Sequence, residues 1–138
     1  MLQKAKTISR TKMESILIVD DDINLCTTLK DELIEVGYSA YSVFNADEAL
    51  KYLLSNKKVD LVLLDLKMPE KDGFYVLQML KKANITSKVI VLTAYADVKS
   101  AIDSAKMGAN DFISKPYDLD ELLITIRKVL QKEIEHED

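Results

Sequence analysis

The stretch Ser15-Ile-Leu-Ile-Val-Asp-Asp-Asp-Ile-Asn-Leu25 runs four branched apolar residues, Ile16 to Val19, straight into three aspartates. An apolar run of that length, bounded by turn-forming residues, reads as a strand buried on both faces. Aspartates one residue apart repel one another, and a chain that only had to leave a strand would do so at lower cost with Gly, Asn or Ser. One of the three is readily accounted for, because Asp22 stands where a helix beginning near Ile23 needs a capping side chain. The other two require a positive partner from elsewhere in the chain.

Working outward, Leu25, Leu29, Leu33 and Val36 recur at helical spacing, and Gly37 ends that helix. Tyr38–Phe44 reads as a strand, followed by a helix with Asn45 or Asp47 as cap and Ala49, Leu50, Leu53 and Leu54 on one face. Val59–Asp65 is a second apolar run ending in an acid, and a polar loop leads from it to a helix over about 73–82. Lys88–Ala94 is a third buried strand, then come a helix over about 97–107 closed by Gly108, a short strand Asp111–Ser114, and an amphipathic helix over about 119–133. Five strands thus alternate with five helices, and the runs at 16–19, 59–64 and 89–92 call for cover on both faces. The expected architecture is α/β: a doubly wound, five-stranded parallel sheet in flavodoxin-like order 2-1-3-4-5, with helices on both faces.

The 138 residues suit one domain, with 48% hydrophobic and 30% charged side chains. A formal net charge of −4 argues against a general nucleic-acid binder or an anionic-membrane binder. No apolar run approaches the roughly 20 residues of a membrane helix. Cys26 is the only cysteine, which excludes a disulfide framework and a cysteine-based zinc site, and its helical neighbours Leu25 and Leu29 mark it as core. A cytoplasmic protein fits this usage. Residues 1–14 carry four basic side chains and no apolar h-region, so they read as a disordered tail and not a secretory signal. His136, the only histidine, sits in a charged C-terminal run and reads as a solvated end residue.

In an open parallel sheet, ligands bind beyond the carboxyl ends of the strands, where the strand order switches. Those ends deliver Asp20, Asp21 and Asp22 from the first strand, Asp65 from the third, Thr93 from the fourth and Lys115 from the fifth. Each has a plainer reading alone: an Asp as a turn or cap, Thr93 as an ordinary strand residue, Lys115 as a surface lysine, Pro116 as a terminator. Together these readings require four coincidences at one sheet edge. Carboxylates from two strand ends make an oxygen-rich pocket suited to Mg²⁺, which favours a few carboxylates, water and an anionic phosphoryl ligand.

The segments ILIVDDD, LVLLDLKMPEKDG, VIVLTAYAD, GANDFISKP and YDLDELL, in this order and spacing, resemble the response-regulator receiver domains of bacterial two-component signalling. The resemblance covers about residues 15–131, and TAYADV with GANDFISKPYDLDELL is most similar to receivers of the NtrC type. It implies a tail over 1–14, a receiver domain over 15–134 and a C-terminal tail over 135–138. It implies Asp65 as phosphoacceptor, Asp20 and Asp21 with Asp65 and the backbone carbonyl of Lys67 as Mg²⁺ ligands, Thr93 and Lys115 as partners of the phosphoryl group, and a cis bond between Lys115 and Pro116. A sensor histidine kinase would supply the phosphoryl group. Thr93 and Phe112 would form a switch that alters the face made by residues 97–108 and 111–134, changing homodimerisation or the binding of an output domain or partner.

Phe112 departs from the tyrosine common at its position: it can swing and pack but cannot hydrogen-bond outward. The final helix repeats Leu119, Leu122, Leu123, Ile126, Leu130 and Ile134, a stripe longer than docking alone requires. Two rivals share parts of the pattern. A haloacid-dehalogenase-like phosphohydrolase also uses aspartate, Mg²⁺ and lysine, but Asn24 stands where its motif wants Thr or Val. A flavin-binding electron carrier shares the fold, but its phosphate loop would not be triply acidic.

Overall fold

The computed structural model describes residues 13–137 of the chain. Among them, strands β1 Ser15–Val19, β2 Ser39–Val43, β3 Leu61–Leu64, β4 Lys88–Thr93 and β5 Asp111–Ser114 alternate with helices α1 Ile23–Glu35, α2 Ala46–Leu53, α3 Gly73–Lys82, α4 Val98–Lys106 and α5 Leu119–Glu137. The strands are parallel in the order β2-β1-β3-β4-β5, as expected.

Strand side chains alternate between the two faces, and each face carries its own core. Ile16, Ile18, Leu61, Leu63, Ile90 and Leu92 pack with Cys26, Leu29 and Leu33 of α1 and Leu122, Ile126 and Val129 of α5. Leu17, Val19, Val62, Leu64 and Val89 pack on the other face with Ala46, Ala49 and Leu53 of α2 and Val76, Leu77 and Leu80 of α3. Truncating one such leucine to alanine costs about 2–5 kcal/mol.

Helix starts are set by short polar side chains. Asp22, Asn45, Asp72 and Asp97 each accept a hydrogen bond from a backbone N–H of the first turn, that of Leu25, Glu48, Tyr75 and Ser100 respectively. Of the two candidates for α2, the cap is therefore Asn45. Gly37 closes α1 at φ +107°, a conformation that side chains rarely adopt.

Several boundaries differ from expectation, most by a single residue, and three of them have a visible cause or consequence. The third strand begins at Leu61 and not Val59, because the Asp60 carboxylate turns back to accept the Ser15 N–H at 2.8 Å and closes that end of the sheet. The tail expected over 1–14 lies outside the described residues up to position 12, but the Glu14 carbonyl accepts the Ser39 N–H at 3.0 Å, so sheet bonding starts before β1. At the other end, α5 runs to Glu137, past the 133 expected and through most of the tail assigned to 135–138. No Gly or Pro stands in that stretch to stop it, and Lys and Glu are good helix formers. The side chains of Ile134 and His136 lie outside the described residues.

Candidate functional site

Register brings the acidic residues together. Val19 lies opposite Leu64, so the next residues, Asp20 and Asp65, leave the sheet side by side. The ladder continues past the strands: Asp65 N–H donates to the Val19 carbonyl at 3.0 Å, Asp20 N–H to that of Val43 at 3.2 Å, and Lys115 N–H to that of Thr93 at 2.9 Å. Thr93 pairs with Ser114 across β4 and β5, which fixes the height at which Lys115 emerges.

Asp20 and Asp65 are buried, at 3% and 6% exposure, and Thr93 is fully buried. Asp21 is exposed at the rim. One carboxylate oxygen from each of Asp20, Asp21 and Asp65 lies within 4.8 Å of the others. The Lys115 ammonium stands 2.6 Å from Asp20 Oδ2 and 3.4 Å from Asp65 Oδ2. This is the positive partner the three aspartates required, and it counters one carboxylate of three. The remaining charge and the all-oxygen donor set fit a divalent hard cation such as Mg²⁺.

The surroundings hold these carboxylates in place. Asp20 Oδ1 accepts the Asp22 N–H at 2.9 Å, and Asp65 Oδ1 accepts the Lys67 N–H at 3.2 Å. The Cys26 thiol donates to the Asp20 carbonyl at 3.4 Å, so this core cysteine also underpins the pocket. Burial raises the Asp20 pKa, and the hydrogen bond from Lys115 offsets this only in part. Burial pulls the Lys115 pKa down, but the hydrogen bond and charge of Asp20, with the charge of Asp65, outweigh it, and the net shift is upward. Thr93 Oγ1 accepts the Tyr95 N–H at 3.2 Å, which leaves its own hydroxyl proton to donate.

The remaining sequence expectations divide. The Lys115–Pro116 bond is cis. Asp22 caps α1, as assigned. Phe112 is half-buried on β5 and points to the face opposite Ile113. Lys67 and Tyr95, both exposed, meet with the ammonium 4.8 Å from the ring centroid.

Two features had escaped the sequence reading. A Cβ on Gly73 would fall 2.4 Å from the Asp65 carbonyl oxygen, so the start of α3 can lie against the phosphoacceptor candidate's backbone only because this residue is glycine. The signal was a glycine just after a capping aspartate, eight positions beyond Asp65. The Tyr117 hydroxyl donates to Glu32 Oε1 at 2.7 Å across 85 residues. Its only trace in the sequence is a polar-tipped aromatic directly after Pro116.

A doubly wound sheet whose strand ends present, along one edge, two buried aspartates, a threonine and a lysine defines the receiver class. The family model described as response regulator receiver domain matches residues 16–127, and the chain belongs to that family of phosphorylation-based signalling modules. The regulatory protein AtoC of Escherichia coli K12 is 37% identical over 131 residues, 91% of this chain and 28% of its own length. The chain spans about a quarter of such curated relatives, 26–28% of their length. A CheY-like receiver domain protein from Methanospirillum hungatei superposes with a TM-score of 0.84 at 30% identity, covering 91% of this chain and 99% of that one. The response regulator TrrA of Thermotoga maritima, solved in complex with Mg²⁺–BeF, gives 0.77 at 38% identity, covering 86% of this chain and all of that one.

Proposed function

We propose that this receiver domain accepts a phosphoryl group on Asp65 from a sensor histidine kinase, in a Mg²⁺-dependent reaction, and passes the signal to an output domain or partner through the face made by α4, β5 and α5. The observation that carries the reading is the convergence of Asp20, Asp21 and Asp65 with Lys115 at the carboxyl edge of the sheet. Asp20, Asp21, Asp65 and the Lys67 carbonyl would hold the metal. When bound, Mg²⁺ offsets the crowded negative charge of carboxylates and phosphoryl oxygens.

The chain's own groups do the rest. An Asp65 carboxylate oxygen attacks phosphorus, the P–O bond forms as the phosphohistidine P–N bond breaks, and the electron pair leaves with the imidazole nitrogen. Lys115, a point charge on a flexible stem, counters the charge gathering on the phosphoryl oxygens. Thr93 donates its free hydroxyl proton to one of them. Drawing Thr93 towards the phosphoryl group opens space for Phe112 to swing inward, which repacks the α4–β5–α5 face and changes homodimer or partner contacts. Neither nucleic acid nor membrane is assigned to this domain; among the described residues no helix is long and apolar enough to cross a membrane. A cytoplasmic setting suits both the kinase and a free, buried Cys26.

The test is incubation with acetyl phosphate and Mg²⁺, followed by mass spectrometry. The wild type should gain one hydroxylamine-labile phosphoryl group and Asp65→Asn none, with the fold intact by circular dichroism. Unchanged labelling of Asp65→Asn refutes the assignment. Chemical-shift mapping with beryllofluoride, together with sedimentation, tests the output: shifts confined to the pocket, with unchanged mass, refute switching through α4, β5 and α5.

A further inference from the structure

We infer that Tyr117 and Glu32 form a latch that positions Lys115 for phosphoryl chemistry; the inference rests on the reading of Asp65 as phosphoacceptor. The pocket works only if two distant segments stay in register. One is β1 with α1, which brings Asp20 and Asp21, and the other is β5 with the loop after it, which brings Lys115. Among the described residues, two polar side-chain contacts tie these segments together. The first tie is the Lys115–Asp20 ion pair at 2.6 Å. The second is the hydrogen bond from the Tyr117 hydroxyl to Glu32 on α1, at 2.7 Å.

The reaction treats the two ties differently. The Lys115 ammonium is already shared between Asp20 and Asp65, and a phosphoryl group on Asp65 adds anionic oxygens that compete for it. The first tie therefore loosens as the chemistry proceeds. Upstream, the Lys115 N–H remains held by the Thr93 carbonyl at 2.9 Å. Downstream, Pro116 has no N–H to offer, and the next residue is Tyr117. Its ring packs against the buried cluster that contains Cys26, Leu29 and Leu122. Its hydroxyl anchors to a carboxylate that takes no part in the pocket. The Tyr117–Glu32 bond thus holds the backbone on the far side of Lys115 while the ammonium moves between partners. Burial, and then the hydrogen bond and charge of Glu32, raise the Tyr117 pKa, so the phenol keeps its proton and remains a donor at physiological pH. Tyr117 also walls the cleft beside Lys115, together with Leu25, Ala94 and Pro116.

The test measures initial rates of phosphorylation of the full chain by acetyl phosphate with Mg²⁺. Tyr117→Phe keeps the ring and deletes the bond, and should slow labelling about tenfold, the scale of one hydrogen bond to a charged acceptor. Glu32→Ala should slow it to a similar degree, and Glu32→Gln, which keeps an acceptor oxygen, should restore the rate. In a Lys115→Ala background, whose own slower rate is the baseline, Tyr117→Phe should cost nothing further. A wild-type rate in both Tyr117→Phe and Glu32→Ala, or an equal fold-loss with and without Lys115, overturns the latch. Labelling that survives in Asp65→Asn overturns the phosphoacceptor reading instead, so the two failures are told apart.

Discussion

Asp21 and Asp22 are adjacent, both exposed and chemically identical, yet their neighbours give them different work. Asp22 accepts the Leu25 N–H at 3.1 Å and satisfies one of the orphan donors of α1. Asp22→Ala should therefore cost about 1 kcal/mol of stability and leave Mg²⁺ affinity unchanged. Asp21 makes its case through proximity, with an oxygen in the cluster shared by Asp20 and Asp65. Asp21→Ala should weaken Mg²⁺ binding at least about tenfold, and without metal it should be no less stable than the wild type, because like-charge repulsion is relieved. Urea unfolding and calorimetric titration of both variants check this. Equal loss of Mg²⁺ affinity in the two would show that the division of labour is wrong. The sequence alone announced that three aspartates were too many for a cap. That Asp20 turns inward while Asp21 stays at the rim depends on the strand's exit geometry, which no local pattern encodes.

Among the helices, α4 is held most loosely. Ser104 is its one buried residue, while Val98 and Ile102 are 75% and 49% exposed. By contrast α1 buries Cys26, Leu29 and Leu33, and α3 buries Val76, Leu77 and Leu80. Local opening follows the density of buried contacts, so amides in 98–106 should exchange with solvent deuterium sooner than those in 23–35 or 73–82. Hydrogen-exchange mass spectrometry decides the matter, and equal protection across the three helices would count against α4 as a movable element. The elements themselves were largely legible: β1, β3 and β4 as apolar runs, α1 through periodicity and its capping aspartate, and α4 through the glycine that closes it. The stripe on α5 was read correctly at Leu122 and Ile126 but missed Val129, which is buried, and the end of the helix lay beyond reach because no stop residue marks it. The approach of Gly73 to Asp65 and the bond from Tyr117 to Glu32 were illegible because each joins segments whose meeting is set by tertiary packing.

For the molecule as a whole, one buried thiol and three half-buried phenols that titrate in alkali are displaced in one direction. Burial pushes the Cys26 thiol up to about 12 and raises Tyr38, Tyr52 and Tyr117 above the usual phenol range. Each keeps its proton in the folded chain after the unfolded chain has released it. Protons bound by the folded state then outnumber those bound by the unfolded state, so stability should fall as pH rises beyond about 9, each group contributing up to about 1.4 kcal/mol per pH unit. Denaturant midpoints at pH 8 and pH 10.5 measure it, and in Tyr117→Phe the fall should be shallower; an unchanged slope would assign the effect to other groups. The strand order has a consequence for synthesis too. Lys115 and Asp20 are 95 residues apart, and β5 is the last of the five described strands to be made. A ribosome-bound or prematurely ended chain that stops short of β5 can hold its three carboxylates only without their counter-ion. The charge balance of the pocket thus arrives only once β5 and Lys115 have been made, and the charge left bare until then penalises every copy that stops short of them.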